Sequence, residues 1–98
     1  MGTEEALSIL RRYESELRAR GIRHAAVFGS TARGKKRRGS DLDIMIDLDP
    51  EAQITVFDYV GLKEYVGSLF DGPVDVVSKG GLKAHVRPAA IADAVYAF

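Results

Sequence analysis

The chain has no cysteine, so no disulfide framework, thiolate zinc site or thiol nucleophile can be built from it. Long apolar runs are also missing. The longest, Ala94 to Phe98, falls far short of the roughly 18 residues that suggest a membrane span. No secretory signal is expected, since Met1-Gly2-Thr3-Glu4-Glu5 is acidic where such a segment would be basic and then apolar. Neither sign of charge is in excess: 14 Lys and Arg balance 14 Asp and Glu. There is no internal repeat and no low-complexity linker. Together these absences predict a cytoplasmic domain. What is present, 98 residues with 46% apolar and 29% charged, suits a single globular domain over residues 1–98.

The neutral total conceals two charged blocks. Arg33, Lys35, Lys36, Arg37 and Arg38 form a basic cluster, and Asp41, Asp43, Asp47, Asp49 and Glu51 follow as an acidic one. A solvated basic loop beside an acidic strand accounts for both, but polybasic blocks commonly have an anionic partner.

The periodicity predicts a mixed architecture. Ala6, Leu7, Leu10, Tyr13 and Leu17 recur at helical steps across Glu4 to Arg20, with Thr3 as the expected N-cap and Gly21 as the stop. Ile22 to Phe28 reads as a buried strand. From Asp41 to Asp49 the residues alternate, with Leu42, Ile44, Ile46 and Leu48 on one face and Asp41, Asp43, Met45, Asp47 and Asp49 on the other. A helix is expected within Ile54 to Phe70, burying Val56, Tyr59, Leu62, Val66, Leu69 and Phe70. Val74 to Ser78 reads as a strand, and a helical segment interrupted by Pro88 is expected to run to the end. This order predicts an α/β (α+β) fold, a small mixed β-sheet flanked by helices.

Gly29-Ser30-Thr31-Ala32-Arg33-Gly34 follows the first strand directly, and a glycine-rich turn of that kind lets backbone N–H groups approach a phosphate. Gly29 to Lys36 comes within one residue of a Walker A loop. That reading fails, because the segment leads into another strand rather than a long helix. Asp41 and Asp43 share a strand face at a spacing of roughly 6 to 7 Å, which suits one or two hard cations such as magnesium. The alternative for them is an exposed edge strand whose outward positions are acidic. Asp47 lies about 13 Å beyond Asp43, out of reach of the same ion, and Asp49 suits a helix N-cap before Pro50. If the Val74–Ser78 strand pairs beside the acidic one, Asp75 faces the same cleft. Three aspartates, two metals and a phosphate loop would then equip the chain for attack of a hydroxyl on an α-phosphate.

Gly29-Ser30-x-Ala32-Arg33-Gly34, then Ser40-Asp41-x-Asp43 and the later Val74-Asp75-Val76, resemble the minimal nucleotidyltransferase (MNT) domains of the DNA polymerase beta superfamily. The resemblance covers most of the chain and implies a polymerase-beta palm-like nucleotidyltransferase fold. It further implies that Gly29 and Ser30 hold the triphosphate, with Arg33 and Ser40 in the same nucleotide-binding motif. On this reading Asp41, Asp43 and Asp75 bind two Mg2+ ions, and Asp75 is the base. Single-domain proteins of this kind resemble the antitoxin of HEPN/MNT toxin–antitoxin pairs, in which AMP passes from ATP to a tyrosine of the HEPN toxin. The resemblance therefore implies a Mg-dependent protein adenylyltransferase with a HEPN-type partner.

Two other readings stay open on the residues. One is an antitoxin that neutralises its partner by binding, with the nucleotide site idle. The other is nucleic-acid binding through Lys35 to Arg38, which is a small footprint without interleaved aromatics beside a strand that would repel phosphate. His24 and His85 lack ligand spacing, and His24 suits a polar strand position. Tyr59 and Tyr65 suit core or interface. Ser30 lacks the elbow and histidine of a hydrolase nucleophile. Ile91, Val95, Tyr96 and Phe98 are candidates for a partner surface.

Overall fold

The computed structural model of the protein describes residues 2–28, 42–81 and 92–98. Two helices open the chain, α1 (Thr3–Arg12) and α2 (Glu14–Ala19). The expected continuous helix is interrupted at Tyr13, whose backbone turns out of the helical region to φ −101° and ψ 14°. The apolar stripe survives the break, since Ala6, Leu7, Leu10 and Leu17 are all buried. Gly2 rather than Thr3 occupies the N-cap position, and Thr3 is the first helical residue. Gly21 ends α2 with φ +97°, the left-handed conformation that glycine adopts without a Cβ clash.

The strands among the described residues are β1 (Ile22–Phe28), β2 (Leu42–Leu48), β3 (Val74–Ser78) and β4 (Val95–Tyr96). They form one sheet in the order β3-β2-β1-β4. β1 runs antiparallel to both β2 and β4, while β2 and β3 are parallel. The parallel pair requires a crossover, supplied by α3 (Val56–Ser68). Before it, Asp49 caps the 3-10 turn Pro50–Ala52 by accepting from the Glu51 N–H. Thr55 and Asp58 form a reciprocal capping box at the start of α3, which satisfies two backbone donors that the first turn leaves unpaired.

The helices cover one face of the sheet. Leu10, Leu17, Ile22, Val27, Ile44, Ile46 and Val66 are at most 1% exposed and join in a single core. Burial of each such side chain contributes about 1.5–3 kcal/mol. On α3 the buried residues are Leu62 and Val66, with Tyr59 packed beside them and Leu69 and Phe70, just beyond the helix, joining the same core. Val56 departs from the expectation and is 76% exposed. Each three-residue step turns the helix by only about 300°, so two steps back from Leu62 carry Val56 some 120° off the buried stripe.

The C-terminus differs from the sequence reading. Lys79–Gly81 is a 3-10 turn, and Val95–Tyr96 is a strand lying against β1. Val95 and Tyr96 are β-branched and aromatic, types that suit a pleated surface, and the apolar run they belong to buries Ala97 in the core. Residues 82–91, including His85, Pro88 and Ile91, lie outside the described residues. Among the described residues no helix is long and apolar enough to cross a membrane.

Candidate functional site

The acidic alternation of β2 is not an edge feature: β2 is an interior strand, flanked by β1 and β3. Its apolar positions face the helices, so Asp43, Met45 and Asp47 face the other way. Across the sheet, register places Phe28 of β1, Asp43 of β2 and Asp75 of β3 in one row. Neighbouring strands are about 4.8 Å apart and residues in register share a face. The two carboxylates that the sequence separates by 31 intervening positions are therefore adjacent. Asp43 is half-buried and Asp75 is exposed. The next row is apolar, Ala26 beside Met45 beside Val77, and Met45 is 1% exposed. This face is thus not uniformly acidic.

Asp47 has a different occupation. Its carboxylate accepts from the Arg23 guanidinium at 3.1 Å, at the end of β2 away from Asp43. Near it His24 Nδ1 lies 3.3 Å from the Phe98 carbonyl; a carbonyl only accepts, so Nδ1 carries the proton in that contact. His24 also meets Tyr96 edge to face at 6.1 Å. These contacts tie the C-terminal strand to β1 and involve neither Asp43 nor Asp75. Phe98 packs against the core under the Arg18 guanidinium, 4.9 Å from its ring centre, which leaves Val95 and Tyr96 as the more exposed members of that terminal group.

The remaining predicted site residues, Gly29, Ser30, Arg33, Ser40 and Asp41, lie outside the described residues, as does the basic run Lys35 to Arg38. Covalently, Gly29 follows Phe28 and Asp41 precedes Leu42, and Phe28 and Leu42 are at the same end of the sheet as the aspartate pair. Among the described residues no group of three or more acidic, histidine or cysteine side chains could hold a metal. Asp43 and Asp75 are two hard oxygen donors on one face. Such a pair suits magnesium, which takes one or two carboxylates and fills its other positions with water and phosphate oxygens.

The sequence did not disclose the features on the far side of α3. Phe57 and Val60 are exposed there with Val56; on the inner side Tyr65 packs against the core and its hydroxyl donates to Glu16 on α2. That hydrogen bond, together with burial and the carboxylate charge, raises the Tyr65 pKa above its ordinary value.

The fold is of the α/β class, a mixed four-stranded sheet with helices on one face and an in-register aspartate pair on the other. The family model described as "Nucleotidyltransferase domain" matches residues 9–97, and the chain belongs to that family. It is 37% identical over 94 residues to the protein adenylyltransferase MntA of Thermococcus cleftensis, an alignment covering 95% of this chain and 93% of that protein. A solved structure described as a candidate minimal nucleotidyltransferase superposes with a TM-score of 0.78 at 30% identity, covering 97% of this chain and 95% of the other. A toxin–antitoxin crystal structure with AMP-PNP shares the fold, with a TM-score of 0.68 at 19% identity over 90% of this chain and 72% of that one.

Proposed function

We propose that the protein is a protein adenylyltransferase that acts as an antitoxin, moving AMP from ATP onto a hydroxyl, a tyrosine, of a HEPN-type toxin. The observation that carries this reading is the register of Asp43 beside Asp75, two carboxylates on the sheet face opposite the helices, at the end where the Gly29-Ser30 motif begins. It is supported by the MntA relative at 37% identity and by the toxin–antitoxin complex that shares the fold.

In the proposed reaction the acceptor oxygen attacks the α-phosphorus of ATP. The new O–P bond forms as the bond to the bridging oxygen of the β-phosphate breaks, and pyrophosphate leaves. Asp75, the exposed member of the pair, takes the hydroxyl proton on a carboxylate oxygen. Asp43 sits on an interior strand and is held by the sheet on both sides, the placement a positioning carboxylate needs. Gly29, Ser30, Arg33 and Ser40 bind the triphosphate in this reading, and Asp41 joins the pair. Asp41, Asp43 and Asp75 would hold magnesium in this reading, and the ion would neutralise the phosphate charge.

The test is mass spectrometry of the HEPN-type partner after incubation with the protein, ATP and magnesium. The expected result is AMP on a tyrosine of the partner, lost with Asp43→Asn. If the doubly substituted Asp41→Asn, Asp43→Asn protein still protects cells that express the partner, neutralisation is by binding and the transfer reading fails.

A further inference from the structure

Tyrosine is the acceptor chemistry of the reading above, and the chain carries four tyrosines of its own. Tyr13 and Tyr59 are half-buried and packed against the core. Tyr65 packs there too, and its hydroxyl is committed to Glu16, which holds the proton more firmly than in a free phenol. Tyr96 differs on each count. It is 38% exposed on β4, its ring meets His24 edge to face at 6.1 Å, and its hydroxyl has no hydrogen-bond partner among the described residues.

The surroundings of Tyr96 are cationic. It lines a cavity of about 520 Å3 with Arg23, His24, Asp47, Lys79 and Phe98. Asp47 neutralises Arg23 at 3.1 Å. That leaves the Lys79 ammonium as an excess positive charge, with no ion-pair partner among the described residues. The aspartate site has the opposite sign: Asp43 and Asp75 stand side by side, and a bound triphosphate adds further negative charge. Surfaces of opposite sign favour encounter in the productive orientation.

Tyr96 cannot serve the site of its own chain. Register puts it in the row of Ala26 and Met45, on the face that carries the aspartate pair. Yet β1 and β2 lie between its strand and that of Asp75, and three strand spacings amount to about 14 Å. A tyrosine and an aspartate side chain together span about 10 Å, so the Tyr96 proton has no direct path onto the Asp75 of the same chain. A second copy meets no such limit.

We infer that Tyr96 is itself an adenylyl acceptor, modified by a second copy of the chain that brings its aspartate site to the cationic surroundings of Tyr96. This rests on the adenylyl-transfer reading above and adds a modification site on the protein. Tyr96 Oη attacks the α-phosphorus of ATP bound to the second copy. The O–P bond forms as the bond to the bridging oxygen of the β-phosphate breaks, pyrophosphate leaves, and the phenol proton passes to the Asp75 carboxylate of that copy.

The test mixes two kinds of variant with ATP and magnesium and locates AMP by peptide mass spectrometry. Asp43→Asn keeps the acceptor without the chemistry, and Asp75→Asn, at an exposed position, is a second variant of that kind. Tyr96→Phe keeps the chemistry and the ring without the acceptor. The expected result is AMP on Tyr96 of the aspartate variants, none on the Tyr96→Phe chain, and transfer from Tyr96→Phe to the HEPN-type partner within about twofold of wild type. AMP on wild type alone but not on the aspartate variants in the mixture makes the step intramolecular and overturns the inference. So does AMP on another residue of the chain, or on the partner only. AMP on Tyr96 but not on the partner supports this site and refutes the toxin as acceptor, whereas AMP on neither refutes the adenylyl-transfer reading and the inference with it.

Discussion

Asp43 and Asp75 are direct register partners on the parallel strands β2 and β3. Their carboxylates share a face because parallel strands in register project alternate side chains to the same side. The remaining described aspartate of β2, Asp47, shares that face but is paired with Arg23 at 3.1 Å. In the proposed reaction Asp43 and Asp75 carry the chemistry, whereas Asp47 is held in its ion pair, and substitution distinguishes them.

Asp75→Asn should reduce AMP transfer by roughly 10²–10⁴-fold, the range for loss of a positioned general base. The thermal midpoint should stay close to wild type, because Asp75 is exposed. Single-turnover measurements with saturating ATP read the effect on the chemical step.

Asp47→Asn should leave transfer unchanged. Its ion pair with Arg23 is partly solvated, with the Arg23 side chain 49% exposed, so its loss should cost at most about 1 kcal/mol. Parallel urea titrations and transfer assays check both parts.

Gly21→Ala should destabilise the protein by more than about 1 kcal/mol, because alanine at φ +97° is strained. The new Cβ would also lie 3.0 Å from the Ala52 Cβ and 2.8 Å from the Ile54 Cδ1. The isoleucine tip can swing aside, but the backbone angle cannot relax while the Gly21 carbonyl accepts from the Asp49 N–H at 2.8 Å. Chemical denaturation measures the loss.

Thr55→Ala should cost about 1 kcal/mol by removing the side-chain oxygen that accepts from the Asp58 N–H at 3.1 Å. Phe57→Ser, at a side chain 88% exposed, should leave stability within about 0.5 kcal/mol. Comparing the two by denaturation separates the cap from the patch beside it.

Most of the strand layout could be read from the sequence. The period-two alternation of β2 and the short apolar runs of β1 and β3 gave those strands nearly to the residue, because side-chain period is a local property. The pairing of Asp43 with Asp75 could only be posed as a condition, since which strands are neighbours depends on the crossover through α3. At the C-terminus the four-residue spacing of Ile91 and Val95 points to helix, and Ala92 and Asp93 are helical, but Val95 and Tyr96 form β4 because β1 offers them an edge, a tertiary cause that outweighs the spacing. Val56 was misassigned to the core through drift of the three-residue step. Tyr65 and Glu16 meet across two helices, which no spacing within either helix reveals.

That contact carries a pH dependence. The Glu16 hydrogen bond favours the protonated Tyr65 and raises its folded-state pKa above 10.0. Its stabilisation should be fully present below pH 10 and be lost as pH rises through the higher folded value. Unfolding midpoints of wild type and Tyr65→Phe measured from neutral to strongly alkaline pH should converge in that alkaline window.

The most direct measurement is the intact mass of the HEPN-type partner after reaction with ATP, magnesium and either wild-type protein or Asp43→Asn. A mass gain of one or more AMP units with wild type and none with Asp43→Asn is the predicted result. An equal gain with both proteins, or no gain with wild type while the partner is still neutralised, would contradict it.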